Sequence, residues 1–140
     1  MAVGLALLPI PHERCLIVEV FDQHTHRTYV SSTVEPGTVI ELRWIHSIEH
    51  TPWRELYRVS EERTLVLTDV FVTSYGAGVP SDLGTTTLED GWIHMSGINR
   101  PIEHLRWVHS HLTHHELRIG TRVIATDDLP HHAFIELRCR

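Results

Sequence analysis

The sequence lacks the features that define several common classes of protein. Its 140 residues include only two cysteines, far apart, which gives no zinc-ligand spacing. The 12 Lys and Arg residues are scattered and the formal net charge is −6, so no basic run could neutralise several phosphates of a nucleic acid. We therefore expect no nucleic-acid partner.

The two cysteines, Cys15 and Cys139, lie near opposite ends of the chain. If the first and last strands are neighbours, the pair could form a disulfide in an oxidising compartment. Two independent reduced thiols are the alternative, and the sequence leaves both open.

No apolar run is long enough to cross a membrane. The N-terminus is apolar for about ten residues without a preceding Lys or Arg, whereas a helical span needs roughly 20. We expect residues 1–14 to be an apolar segment, either the remnant of a signal sequence or anchor or a buried first segment. Residues 15–140 are predicted to form a single β domain, since a chain of this length can bury a core without metal or disulfide support.

Motifs of nucleophilic catalysis are also missing. The chain has no Gly-x-Ser-x-Gly turn, and neither cysteine has a strand–helix or electropositive context. We therefore predict a protein that is not an enzyme, with no catalytic residues and no cofactor.

Histidine, by contrast, is abundant, with 13 residues against 12 Lys and Arg. Protonation of all of them would change the formal charge from −6 to about +7, so pH sensitivity is one reading and generic polar surface use is the other. A His-x-His pair on one side of a strand could chelate a transition metal, but no carboxylate or cysteine recurs nearby at a ligand spacing, so we assign no metal site. The neighbouring histidines are His24/His26, His109/His111, His114/His115 and His131/His132.

Apolar and polar residues alternate along most of the chain, which is typical of strands with one face on a core. The clearest case is residues 38–46, which place Ile40, Leu42, Trp44 and His46 on one face. We therefore predict an all-β fold: an antiparallel β-sandwich or small β-barrel of about eight to ten short strands. Residues 102–111 fit helical or alternating spacing, and we favour a strand. The other predicted strands are 15–20, 28–33, 38–46, 55–60, 65–75, 92–95, 117–119, 122–125 and 133–139, with a polar loop before Gly91.

Two segments carry residues that the strand pattern does not explain. In the first, residues 46–55, His46 with Glu49 and Glu55 could bind a cation or a polar ligand. The alternative is a strand-end corner, in which Ser47 or Thr51 satisfies backbone groups, Pro52 stops pairing and Trp53 covers the core edge.

The second segment, residues 74–80, is rich in glycine. Gly76, Ala77 and Gly78 could expose backbone amides to an anion or a partner, or could form a tight turn that needs positive φ. A meander need not bring the two segments together, so their proximity is a hypothesis.

At these two segments the chain resembles a bacterial family called domain of unknown function 1850 (DUF1850). The shared pattern is an aliphatic strand, His-Ser-Ile-Glu, Thr-Pro, Glu before an aromatic residue, and later Tyr-Gly-Ala-Gly-Val-Pro. The likeness extends more loosely over residues 15–139. The positions that match the pattern are His46, Ser47, Glu49, Pro52, Glu55, Tyr75, Gly76, Ala77, Gly78 and Pro80.

The resemblance implies an extracytoplasmic or membrane-associated protein that acts as a fourth component of a tripartite (TRAP-type) solute transporter of the TAXI class. The expected partners are the permease or the solute-binding protein, and a small carboxylate is a candidate ligand. The alternative function is a soluble metal- or small-ligand-binding β-domain that uses His46 with Glu49 or Glu55.

Overall fold

The computed structural model of the protein describes residues 16–76, 78–79 and 83–140. These residues form two antiparallel β-sheets and no α-helix, which confirms the predicted all-β sandwich. Short 3-10 turns at His111–Thr113 and Thr126–Asp128 precede β10 and β12. The strands, in chain order, are β1 (Leu16–Asp22), β2 (Thr28–Val34), β3 (Val39–Ile45), β4 (Pro52–Val59), β5 (Leu65–Val72), β6 (Thr85–Glu89), β7 (Trp92–Ser96), β8 (Arg100–Ile102), β9 (Leu105–Val108), β10 (Glu116–Ile119), β11 (Arg122–Ile124) and β12 (Phe134–Cys139).

The smaller sheet has the order β2-β1-β12-β9. The larger sheet has the order β11-β10-β3-β4-β5-β7-β6, and β8 also pairs with β5. The first and last described strands are therefore neighbours, with Val18 opposite Cys139. This meets the condition for a disulfide between Cys15 and Cys139. Cys15 and the N-terminal segment 1–14 lie outside the described residues, so both predictions stay open.

The core lies between the two sheets. Because successive side chains of a strand point to opposite faces, the alternating apolar residues of β3 and β12 reach it from opposite sides. Each such buried aliphatic side chain contributes roughly 1.5–3 kcal/mol through the hydrophobic effect. Buried residues of the larger sheet include Ile40, Leu42, Tyr57, Leu65 and Val70, and those of the smaller sheet include Val18, Val20, Leu105, Ile135 and Leu137.

The chain changes sheets between β8 and β9. β8 pairs with β5 in the larger sheet, and β9 pairs with β12 in the smaller one. Glu103 and His104 alone connect them. The predicted strand over residues 102–111 therefore contains the last residue of β8, the crossover, β9 and the start of the 3-10 turn at His111. A strand is present there, but it is shorter than predicted.

Three other boundaries differ from the prediction. β4 begins at Pro52, which lies opposite Ile45 as the first residue of its strand, so Pro52 does not stop pairing. β5 ends at Val72, three residues before Tyr75. β6 occupies part of the predicted polar loop and is exposed along its whole length, so it has no apolar face that a sequence pattern could reveal. With β6 and β8 added to the predicted strands, the described residues contain twelve strands instead of eight to ten.

Candidate functional site

A row of aromatic and polar side chains lies on the inner face of the larger sheet, where β3 and β4 pair. Trp44 is directly opposite Trp53, and their rings stack with centroids 5.4 Å apart. Glu55 follows on β4 opposite Leu42, and Tyr57 follows Glu55. Because alternate residues of a strand share a face, Trp53, Glu55 and Tyr57 all point toward the interior.

Glu55 is the charged member of this row and is half-buried. Its Oε1 accepts a hydrogen bond from Trp53 Nε1 at 3.0 Å, and its Oε2 accepts one from the Tyr57 hydroxyl. Burial raises the pKa of Glu55 above its ordinary value, and these two hydrogen bonds oppose the rise only in part. The burial of Tyr57, together with the Glu55 charge, raises the pKa of the Tyr57 phenol, so this hydroxyl remains a donor.

An open cleft of about 700 Å³ lies beside Glu55, at the place where the chain crosses from β8 to β9. Its volume is within the roughly 300–1,000 Å³ that is usual for small-molecule sites. Aromatic and histidine rings form much of its wall. They are Trp44, Tyr57, His46, His104, Trp107 and His115.

His46 shapes the turn that joins β3 to β4. Its Nδ1 accepts hydrogen bonds from the backbone amides of Ile48 (3.4 Å) and Glu49 (3.2 Å). Its own amide donates to the Thr51 carbonyl at 2.8 Å. His46 therefore satisfies backbone groups that the sequence analysis had assigned to Ser47 or Thr51, and its ring also stacks on Trp53, with centroids 5.7 Å apart.

The glycine-rich segment lies against this turn. A Cβ placed on Gly76 would stand 2.8 Å from both Cγ and Cδ of Glu49, so the Glu49 side chain occupies the space that any larger residue at Gly76 would need. The two sequence segments are therefore neighbours. Residues 46–51, 74–76 and 78–79 are called the loop surface below.

Two large apolar side chains project from the loop surface. Ile48 is 69% exposed and Tyr75 is 66% exposed, one on each loop. His46 belongs both to the cleft and to the small recess beneath the two loops, so the cleft and the loop surface are continuous.

The other predicted site residues that the structure describes do not form one cluster. Ser47 is exposed in the turn and lines the cleft, and Pro52 begins β4. Gly78 has φ +80, which requires glycine, and nothing lies within 4 Å of a Cβ built on it. Ala77 and Pro80 lie outside the described residues.

Most of the other half-buried or buried carboxylates have an Arg or His side chain as a partner. Glu136 is bound by Arg106 at 2.7 Å and lies 2.8 Å from His104 Nδ1. Arg140 lies 2.6 Å from a Glu19 oxygen. Glu41 pairs with Arg43 and Arg54, and Asp69 with His94. Asp22 accepts backbone amides instead, from His24 and Thr25.

In the described part of the chain, Glu55 resembles Asp22 in having no basic side chain as a partner, but Glu55 lines the cleft. Among the described residues, no Arg, Lys or His nitrogen lies within 4.0 Å of it. Its oxygens have only the neutral donors of Trp53 and Tyr57. The sequence signal for this site is the order Trp-x-Glu-x-Tyr on one strand face, in which a carboxylate takes a core-facing position. Sequence analysis selected Glu55 but missed Trp53, Tyr57, His104 and Trp107 as its surroundings.

The histidine pairs are not arranged as predicted. His24 and His26 lie in the turn between β1 and β2, and His109 and His111 lie after β9, so neither His-x-His pair shares a strand. The rings of His109 and His111 are nevertheless 5.4 Å apart. In the part of the chain that the structure describes, no three His, Cys, Asp or Glu residues are grouped so as to hold a metal ion.

Buried histidine does occur beside the cleft. His115 is buried, and its ring stacks on both Trp44 (5.9 Å) and Trp107 (6.1 Å). Burial and, to a smaller extent, the nearby His109 lower the pKa of His115 to about 4, although a backbone hydrogen bond with Ser110 opposes the shift. His115 is therefore a neutral part of the cleft wall at pH 7.

The fold and the cleft define a small β-sandwich domain with a ligand-sized opening at the crossover between its sheets. The chain belongs to the family "Domain of unknown function (DUF1850)", whose model matches residues 40–125. That match contains both predicted segments and the cleft residues of β3, β4 and β9. Searches of curated proteins and of solved structures give no significant match. Across residues 16–76, 78–79 and 83–140, no helix has the length and apolar character that a membrane span requires.

Proposed function

We propose that the protein is a non-enzymatic binding module that serves as the fourth, accessory component of a TAXI-class TRAP solute transporter. In this role it docks to the permease or to the solute-binding protein at the extracytoplasmic face of the membrane. Family membership supports the proposal through the transporter role that the resemblance implies.

The observation that carries the docking role is the joining of the two motif loops into one surface. Glu49 packs against Gly76, and Ile48 and Tyr75 project from the two loops into solvent. Exposed apolar side chains on adjacent loops are typical of a protein–protein contact, because a partner would remove them from water.

Co-purification tests this role. Tagged protein is expressed in its native membranes, extracted in mild detergent, and its partners are identified by mass spectrometry. We expect recovery of a TRAP-type permease or solute-binding protein. The double variant Ile48→Ser/Tyr75→Ser should lose it.

The matched control is Leu88→Ser, because Leu88 is 79% exposed on β6, outside the loop surface. This control should retain the partner. Recovery of no transporter subunit, or equal recovery with all three proteins, would contradict the proposal.

A second candidate function is a soluble ligand-binding β-domain. The observation that favours it is the cleft beside Glu55, a carboxylate whose described partners are all neutral. Metal binding by His46 with Glu49 or Glu55 stays a prediction, which elemental analysis of native, untagged protein tests. A small carboxylate ligand would have to approach Glu55 in its protonated form, since two carboxylates repel.

A further inference from the structure

The cleft beside Glu55 has the chemistry of a specific ligand site. We propose that it binds a small organic cation, an alkylammonium compound, whose charged nitrogen pairs with Glu55 and whose alkyl groups lie on the surrounding aromatic rings. This inference rests on the ligand-binding candidate above and does not depend on docking to a transporter.

The first argument comes from the two buried glutamates of the smaller sheet. Glu19 pairs with Arg138 and Arg140, and Glu136 pairs with Arg106. Glu55 lies on the core face of the larger sheet without such a partner. Burying an unpaired carboxylate is unfavourable, and a cation in the cleft would compensate for it.

The second argument is that the neighbouring cations are already engaged. Arg106 and His104 both line the cleft, and both face Glu136: Arg106 Nε donates to it at 2.7 Å, and His104 Nδ1 lies 2.8 Å from its Oε1. Arg106 therefore balances the charge of Glu136 and is not a partner of Glu55. An anionic ligand would find no free Arg or Lys among the described cleft residues.

The third argument separates an organic cation from a metal ion. Glu55 offers one carboxylate, and the described residues provide no group of three metal-ligating side chains. The walls instead include the rings of Trp44, Tyr57 and Trp107, and aromatic rings attract an ammonium group through their quadrupole. A cleft of about 700 Å³ is also far larger than a single metal ion requires.

The position of Glu55 suits the binding of a ligand more than the stabilisation of the fold. Its two oxygens are held by Trp53 and Tyr57, which fixes the carboxylate before any ligand arrives. A preorganised charge of this kind binds with little loss of conformational freedom. Trp44 and Trp107 both stack on His115, so these wall residues pack against one another.

The test is a calorimetric titration of the purified full chain with choline and with n-butylammonium. The neutral carbon analogue of choline, 3,3-dimethylbutan-1-ol, separates charge from shape. We expect at least one cation to bind with a dissociation constant below about 1 mM, which corresponds to roughly −4 kcal/mol. The neutral analogue should bind at least tenfold more weakly.

Two variants test the residues. Glu55→Gln keeps the shape of the side chain and should weaken cation binding at least tenfold, and Trp107→Leu should weaken it severalfold. The matched control is Glu41→Gln, because Glu41 is on the outer face of the adjacent strand and should leave binding unchanged. Cooperative thermal unfolding checks that each variant is folded.

Failure of both cations to bind, or equal binding of choline and its neutral analogue, would overturn the inference whatever the variants do. Cation binding that survives in Glu55→Gln would overturn it as well. If the protein binds an alkylammonium compound but recovers no transporter subunit, this inference is upheld and the docking proposal is contradicted. If it recovers a transporter subunit but binds neither cation, the docking proposal is upheld and this inference is overturned.

Discussion

The side chain of Glu49 occupies the space beside the backbone of Gly76, within 2.8 Å of where a Cβ would be. This contact joins two loops that are 27 positions apart in the chain and that follow different strands. A side chain at position 76 would have to displace the Glu49 side chain.

Gly76→Ala should destabilise the protein only slightly, by less than about 1 kcal/mol, because the new methyl group displaces the flexible end of the exposed Glu49 side chain. In a Glu49→Ala background the same substitution should have little effect. Denaturant unfolding of the four proteins gives the coupling free energy between the two positions. A coupling near zero would show that the two loops do not constrain each other.

Truncating a side chain in the core between the sheets should destabilise the protein more than truncating one on the surface. Leu137 is 0% exposed, and Leu137→Ala should lower the free energy of unfolding by about 2–5 kcal/mol. Leu112 is 80% exposed, and Leu112→Ala should change it by less than about 0.5 kcal/mol. Urea denaturation measures both, and similar losses would contradict the assigned core.

His115 should make folding sensitive to acid. Its pKa is lowered to about 4, so the folded state disfavours the protonated ring. The stability that the neutral ring provides is complete above the unfolded value of about 6.5 and is lost as pH falls toward 4. We expect His115→Gln to reduce this acid-induced loss by roughly 1–3 kcal/mol.

The control for His115 is His114→Asn, since His114 is exposed in the same turn and has φ 48, which Asn tolerates. Its stability should follow the wild-type curve from pH 7 to 4. If the stability of His115→Gln also follows the wild-type curve, then burial does not disfavour the protonated form of His115.

Glu55 should have the opposite pH dependence. Burial raises its pKa, so the folded state favours the protonated carboxyl. That stabilisation is complete below the unfolded value of about 4.3 and is lost as pH rises through the folded value. Glu55→Gln is neutral throughout and should gain stability relative to wild type as pH rises from 4 to 7.

Glu103→Gln serves as the control for Glu55, because the Glu103 side chain is 87% exposed beside the cleft. Its thermal stability should keep a constant difference from wild type over the same pH range. If the stability difference between Glu55→Gln and wild type does not change from pH 4 to 7, then the fold does not disfavour the ionised form of Glu55.

The sequence predicted the sandwich because alternation is a local signal. Ile40 and Leu42 face the core as their spacing in residues 38–46 requires. β6 escaped prediction because an exposed edge strand needs no apolar face, and β8 escaped as a separate strand because the change of sheet follows it after only two residues. The edge strand and the change of sheet both depend on pairing between residues that are far apart in the chain.

The candidate site was predictable only in part for the same reason. Glu55 stood out as a carboxylate near a strand end, and its neighbours Trp53 and Tyr57 are local to β4. The cleft, however, forms because the β8–β9 crossover brings His104 and Trp107 across from the other sheet. No pattern within β4 contains that information.

Site-specific photo-crosslinking from the loop surface tests the central claim most directly. A photoreactive phenylalanine analogue replaces Tyr75, which is 66% exposed, or Leu88 as the control, and native membranes are irradiated. Our account predicts a crosslink from position 75, and not from position 88, to a TRAP-type permease or solute-binding protein. Absence of that product at position 75, or equal products at both positions, would contradict it.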